Sequence, residues 1–253
     1  MNFVGIDIGS TSAKTVVMDE EKNIIFKWVL PTGWSSVETA KAIEKQLEGH
    51  GITKENSKII ATGYGRVSVP YADKTYTEIT CHGRGAAYIY EDNCTVVDIG
   101  GQDTKIINLE DGVVTDFIMN DKCSAGTGRF LEVMANSLGV TLDELSDMAR
   151  EGKGVSISSM CTVFAESEVI SLIGSGARRE DIAYGIVDSI ASKVKSLCSK
   201  QGNSGSYYLT GGLCENEYIV ERLSQKLEVN VKASPLGRYA GAIGAALLCE
   251  KLK

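Results

Sequence analysis

Two stretches of this chain combine carboxylate, glycine, hydroxyl and lysine at a spacing suited to anion and metal chemistry. One is Asp98-Ile-Gly-Gly-Gln-Asp-Thr-Lys105, between a strand-like run at Cys94–Ile99 and another at Lys105–Leu109. It reads as a tight hairpin with Gly100 and Gly101 at its tip, where the missing Cβ lets backbone N–H groups come close to an anion. Asp98 sits at the mouth, where a carboxylate could hold a metal ion or a water. The pattern occurs twice. Asp7-Ile-Gly-Ser-Thr-Ser-Ala-Lys14 also follows an apolar run and leads into Thr15–Met18. Two copies imply two related halves facing one ligand. A third glycine turn, Gly211-Gly212, ends a strand pattern at Tyr207–Thr210, and open α/β sheets bind ligands at such strand ends. Each turn alone reads equally as an ordinary β-turn; the three together make that reading improbable. Lys14 and Lys105 lie in strand patterns beyond the tips and read as solvated residues as readily as phosphate contacts. Gln102 and Asp103 are better placed to position an attacking water.

The cysteines form a second chemical group. There are seven, at 81, 94, 123, 161, 198, 214 and 249. The number is odd, the chain is not small and no secretion signal is visible, which argues against a disulfide framework. Cys94 opens a strand, Cys198 and Cys249 lie among apolar helical residues, and packing is the reading for Cys214 beside the third turn. Cys123 and Cys161 differ. Each lies in a loop of polar or small residues just before a helical pattern, and a helix N-terminus favours a thiolate suited to metal. Two cysteines are too few for a zinc or iron–sulfur site, which takes four ligands, but a two-fold dimer would supply two and two. On spacing alone, with 38 residues between them, free thiols at helix starts remain the favoured reading.

The elements that must place these groups follow one order, strand hairpins and then helices, twice. Strands are expected at 2–8, 13–19, 23–30 and 57–62, with helices at 37–48, capped by Ser36, and 78–90. The second half offers strands at 94–99, 104–109 and 113–119, then helices at 129–138, 142–150, 163–173 and 179–200. A strand at 207–210, a helix at 217–227, a short strand at 229–231 and one last helix at 237–252 complete it. The apolar spacings at Val37, Ala40, Ile43 and Leu47, and at Ile182, Ile186, Ile190, Val194 and Leu197, set the helical assignments, and Thr141-Leu-Asp-Glu144 is a capping box. The expected fold class is therefore α/β, with two related halves around a cleft.

An apolar fraction of 43%, a charged fraction of 23% and a net charge of −7 fit a soluble globular chain. They argue against nucleic acid as partner, since that needs a basic face. No apolar run reaches the roughly 18 residues of a membrane span, and the N-terminus lacks a signal-peptide pattern, so the cytoplasm is the expected location.

With its three turns in this order, the chain resembles the superfamily of acetate and sugar kinases, actin and heat-shock chaperone ATPases. That resemblance implies two actin-like (ribonuclease H-like) half-domains, residues 1–92 plus 236–253 and residues 93–235, around a nucleotide cleft. It also implies ATP or ADP with Mg²⁺ as ligands. Gly9, Ser10, Thr11, Ser12 and Lys14 would hold phosphates in the first hairpin, Gly100 and Gly101 in the second. Asp7 and Asp98 would orient Mg²⁺ and its waters, and Gly211, Gly212 and Asn216 would belong to the adenosine segment. The cysteine segments are more specific. Asn120-Asp-Lys-Cys-Ser-Ala-Gly-Thr-Gly-Arg-Phe-Leu-Glu132 and Met160-Cys-Thr-Val-Phe-Ala-Glu-Ser-Glu168 resemble the ATP-dependent activators of 2-hydroxyacyl-CoA dehydratases and the ATPase subunits of benzoyl-CoA reductases. This implies a homodimer with one [4Fe–4S] cluster between subunits, held by Cys123 and Cys161 of each. It further implies a low-potential electron taken from ferredoxin or flavodoxin and delivered to a partner iron–sulfur enzyme: a dehydratase, a reductase of aromatic acyl-CoA or a double-cubane cluster protein. Gly126 and Thr127, opening a helix, are expected near the γ-phosphate. Two other readings share the fold, a small-molecule kinase without a cluster and a nucleotide-binding regulatory or filament protein. No carboxylate base beside an acceptor pocket supports the kinase.

Overall fold

The computed structural model describes residues 1–90, 93–120, 122–158, 161–201 and 205–252. The chain forms two compact units, residues 1–93 with 108–115 and 236–253, and residues 94–107 with 116–235. Asp92, the expected boundary, lies outside the described residues, as do Asp121, Ser159 and Met160 of the loops before the two cysteines.

The first unit carries β1 (Asn2–Ile8), β2 (Ser12–Met18), β3 (Ile24–Pro31), β4 (Ser57–Thr62) and β5 (Lys74–Thr75), in the sheet order β3-β2-β1-β4-β5. β1 and β2 are antiparallel with Asp7 opposite Lys14, and β1 and β4 are parallel with Asp7 opposite Thr62. α1 (Ser36–Gly49) and α2 (Glu78–Ile89) belong here, with the last helix of the chain. α1 buries Ala40, Ile43 and Leu47 as its periodicity demands. Its cap is Ser35 rather than Ser36: Ser35 is extended and its side chain accepts from Glu38 N. The pairing of two-residue β5 has no sequence signal of its own.

The expected single helix at 237–252 is broken. A 3-10 turn at Pro235–Tyr239 precedes the last helix, and another at Cys249–Lys251 follows it. That helix, Ala240–Leu248, is buried all round, as an apolar helix without a polar face must be. Small residues let three backbones meet: a Cβ on Gly5 would lie 1.8 Å from Ala242 O, and one on Gly85 1.9 Å from Ala240 O. Residues 108–115 also group with this unit, although the sequence assigns them to the second half. Gly83 of α2 explains why, since a Cβ there would meet Val114 Cγ2 at 2.3 Å and Leu109 Cδ2 at 3.1 Å.

The second unit carries β6 (Cys94–Ile99), most of β7 (Thr104–Glu110) and β8 (Val113–Asn120), β9 (Tyr207–Gly211) and β10 (Val231–Ala233). Their sheet order, β10-β9-β6-β7-β8, repeats the first sheet strand for strand. β6 and β9 are parallel with Asp98 opposite Thr210. The last strand sits at 231–233 rather than 229–231, because Glu228 and its left-handed backbone (φ 60°) end the preceding helix. The helices are α3 (Gly128–Leu138), α4 (Leu142–Glu151), α5 (Thr162–Gly174), α6 (Arg179–Cys198) and α7 (Glu217–Leu227), and, in the first unit, α8 (Ala240–Leu248). The Thr141–Glu144 capping box is present. One core gathers α3, α4, α6 and α7 against β6 and β9.

Candidate functional site

The first hairpin closes with Gly9 N donating to Ser12 O at 3.1 Å. Buried Thr32 braces the tip from the chain after β3: its N donates to Thr11 O at 3.0 Å and its Oγ1 to Gly9 O at 2.8 Å. Lys14 turns back along the hairpin and its Nζ donates to Ser12 O at 3.3 Å. Gly9, Ser10 and Ser12 are half-buried and Thr11 is exposed. The half-buried Asp7 carboxylate lies between two glycines. A Cβ on Gly63 would stand 2.5 Å from its Oδ1, and one on Gly241 2.6 Å from its Oδ2.

The second hairpin closes alike, with Gly100 N donating to Asp103 O at 2.9 Å. Its charges are arranged differently. Asp98 is buried; its Oδ1 accepts from Thr210 Oγ1 at 3.3 Å and its Oδ2 pairs with Lys105 Nζ at 3.3 Å. The same ammonium meets Asp103 Oδ1 at 2.8 Å. Lys105 is therefore not a solvated strand lysine. β7 is buried at four consecutive positions, so alternation leaves no wet face at its start. Gln102 is exposed and Gly101 half-buried. Gly211, with φ +84°, abuts this carboxylate: a Cβ there would lie 2.8 Å from Asp98 Oδ1 and 2.3 Å from Ile99 O. Gly212 is exposed. Asn216 caps α7, with its side chain accepting from Ile219 N and donating to Ser146 Oγ at 2.8 Å.

The second tip is joined to the helix that follows Cys123. Gly128 N donates to Gly100 O and Arg129 N to Gly101 O, both at 2.9 Å, so the first two N–H groups of α3 are met by the hairpin carbonyls. Thr104 Oγ1 adds a bond to Gly126 O at 2.6 Å. The Cys123 loop is tied internally as well. Asn120 Nδ2 donates to Cys123 O at 2.9 Å and to Ala125 O at 3.1 Å, and Thr127 Oγ1 donates to Ser124 O at 2.6 Å. Thr127 is fully buried, and Lys193 lies over Gly126, with its Cγ 2.6 Å from where a Cβ would be.

None of the seven cysteines forms a disulfide; five are buried, Cys123 is half-buried and Cys161 exposed. Burial pushes the Cys81, Cys198 and Cys249 thiols up to about 12. Cys161 is the N-cap of α5, and its carbonyl accepts from Ala165 N at 2.8 Å. The residues immediately after the two cysteines are hydrogen-bonded: Ser124 Oγ and Thr162 Oγ1 are 2.7 Å apart. Segments 38 residues apart in sequence are thus brought side by side. Val163, Phe164, Ile170 and Ile173 of α5 are exposed close to Cys161 in sequence. Among the described residues no group of three or more His, Cys, Asp and Glu side chains is placed to hold a metal ion.

Sequence reasoning missed Thr32, Gly63, Gly241, Thr210 and the Ser124–Thr162 contact. One signal was there to find. Thr62-Gly63 and Thr210-Gly211 each end the strand parallel to an Asp-Ile-Gly strand, so the internal repeat extends to a Thr-Gly step in each half.

The family model for the BadF/BadG/BcrA/BcrD ATPase family matches residues 4–249. The chain belongs to that family. The (R)-2-hydroxyglutaryl-CoA dehydratase activating ATPase of Acidaminococcus fermentans is 45% identical over 251 residues, covering 98% of this chain and 96% of that protein. The crystal structure of component A of the Acidaminococcus fermentans (R)-2-hydroxyglutaryl-CoA dehydratase superposes with a TM-score of 0.93 at 44% identity, over 99% of this chain and 98% of that one. The activator of the 2-hydroxyisocaproyl-CoA dehydratase from Clostridium difficile, solved with bound ADPNP, gives 0.91 at 38% identity, over 100% and 98%. The fold is that of the actin-like ATPases and sugar kinases, as the paired hairpins imply. Among the described residues no helix of this BadF/BadG/BcrA/BcrD ATPase is long and apolar enough to cross a membrane.

Proposed function

We propose that the chain is an ATP-hydrolysing electron-transfer activator. It acts as a homodimer that holds one [4Fe–4S] cluster through Cys123 and Cys161 of each subunit and serves an iron–sulfur dehydratase of the 2-hydroxyacyl-CoA class. The observation that carries this reading is the join between the Asp98 hairpin and the Cys123 loop. In this reading Gly101 presents its N–H to phosphate on one side, while the carbonyls of Gly100 and Gly101 hold the first turn of α3 on the other and the Gly100 N–H closes the hairpin onto Asp103 O.

The donor set fits the cluster. Cys123 and Cys161 are the two cysteines that are not fully buried, and the Ser124–Thr162 bond sets their segments next to each other. A [4Fe–4S] core takes four thiolates, so a second copy of the chain completes the set. The exposed apolar residues of α5 beside Cys161 suit burial against that copy. Bound there, the cluster supplies one-electron chemistry at low potential.

The remaining roles belong to the chain's own side chains. The Gly9–Ser12 turn and Lys14 hold phosphate oxygens. Asp7 and Asp98 orient Mg²⁺ and its waters, since this ion keeps most of its water and takes one or two carboxylates. Gln102 and Asp103 orient the water whose oxygen bonds to the γ-phosphorus as the bond to the ADP oxygen breaks. A shift of the Gly100 and Gly101 carbonyls pulls on α3, and Thr127 and Ser124 carry that pull towards Cys123. Dehydratase activators among the relatives indicate the partner class, and ferredoxin or flavodoxin is the donor that the resemblance implies.

Purified without oxygen, the protein is expected to be a brown dimer with about four irons per dimer, and Cys161→Ser should abolish the colour while leaving ADP binding intact. A colourless protein after anaerobic reconstitution with iron and sulfide would overturn the proposal.

A further inference from the structure

Lys105 has no part in the mechanism above, yet it is the most deliberately placed charge of the second hairpin. Its side chain is 5% exposed, and its ammonium is shared between Asp98 Oδ2 at 3.3 Å and Asp103 Oδ1 at 2.8 Å. Thr210 Oγ1 takes the other Asp98 oxygen, so both oxygens of Asp98 accept from within the protein. Asp103 is the open side of the group, 26% exposed. Two carboxylates and one ammonium leave a single negative charge.

Without the ammonium, two carboxylates so close together would be a ready site for a hard divalent cation, which Mg²⁺ fills with one or two carboxylates and water. With it, a dication must approach a fixed positive charge in a poorly screened place. The polyphosphate of a nucleotide reverses that balance by adding several negative oxygens. The first hairpin is built otherwise, with Lys14 donating to a turn carbonyl.

We propose that Lys105 is a positioning residue that keeps the Asp98 hairpin closed to a divalent cation until nucleotide arrives, so that the cation enters together with the phosphates. The inference rests on the nucleotide reading of this hairpin and adds an order of binding to it.

Mn²⁺, followed by electron paramagnetic resonance as a stand-in for Mg²⁺, tests it on the purified protein. Nucleotide-free protein should bind Mn²⁺ at least about tenfold more weakly than ADP-loaded protein. In nucleotide-free Lys105→Met the affinity should rise by about tenfold, and adding Asp103→Asn should cancel the gain. A folded Lys105→Met protein with unchanged Mn²⁺ affinity would overturn the proposal. Should Lys105→Met fail to fold, the wild-type comparison decides: Mn²⁺ binding equally tight with and without ADP sinks the role of Lys105 alone. A protein that binds no ADP at all sinks the nucleotide reading and this inference with it.

Discussion

The Asp7 and Asp98 hairpins share a frame and differ in what grips their carboxylates. In both, a Thr-Gly step on the parallel neighbour presses a left-handed glycine against the aspartate, with φ +87° at Gly63 and +84° at Gly211. Asp7 is half-buried, with Gly63 and Gly241 at its two oxygens, and its tip is braced by Thr32. Asp98 is buried in an ion pair, and its tip carbonyls are bonded to a helix that begins five residues after Cys123. Duplicated hairpins can thus keep one frame around the aspartate and diverge behind it. The first is anchored to its own connection, while the second is tied to the start of α3.

The two hairpins differ most at their lysines. Lys105→Met strands two carboxylates and should lower stability by about 3–5 kcal/mol. Lys14→Met removes one bond to a turn carbonyl and should cost about 1 kcal/mol or less. Urea midpoints for the two variants give the contrast, and equal losses would contradict it. The glycines sharpen the shared part. Gly63→Ala and Gly211→Ala each put a Cβ within 2.4 Å of a backbone carbonyl, on top of left-handed backbone strain, so each should cost more than about 2 kcal/mol. A difference between them would show that the frames are not equivalent.

Thr104→Val leaves Gly126 O without its hydroxyl donor and should cost about 1–3 kcal/mol. It should also weaken the effect of ATP on the cluster signal while sparing ADP affinity; an unchanged ATP effect would place the coupling elsewhere. Alkali distinguishes the two units. Burial raises Cys81 and Cys249 in the first unit and Cys198 in the second, each from 9.0 to about 12. Below pH 9 both folded and unfolded thiols keep their protons, and full stability is present. Between 9 and 12 the unfolded chain ionises first, so stability falls by about 1.4 kcal/mol per pH unit per thiol. Between about pH 9 and 10 the first unit, with two such thiols, should soften about twice as steeply as the second in hydrogen exchange. Above about pH 10 Tyr71 of the first unit and Tyr207 and Tyr218 of the second, also raised by burial, even out the slopes. The smallest effect concerns Asn216→Ala, which should cost about 1 kcal/mol as a lost helix cap. A simultaneous fall in ADP affinity would show that the cap also touches nucleotide.

Much of this was legible because it is local. Asp-Ile-Gly followed by small polar residues and lysine gives both hairpins, and apolar spacing gives α1 and α6. The Thr141–Glu144 box gives the start of α4, and the cysteine segments carry the family likeness. What stayed hidden depends on tertiary contacts. Strand alternation points Lys105 outward, but β7 is buried on both faces at its start. In the run from Gly237 to Leu252 nearly every residue from 240 to 248 is small or apolar, so periodicity cannot mark the two 3-10 interruptions. The approach of Ser124 to Thr162 leaves no trace in either segment alone.

That hydroxyl contact also sets how a shared metal centre would be put together. Four separate thiolates would have to find one another in three successive encounters. A chain whose two cysteine segments already travel as a pair reduces this to a single encounter between two copies. Assembly then becomes second order in the protein, and dilution, rather than any weakness of an individual thiolate, is what would pull such a centre apart.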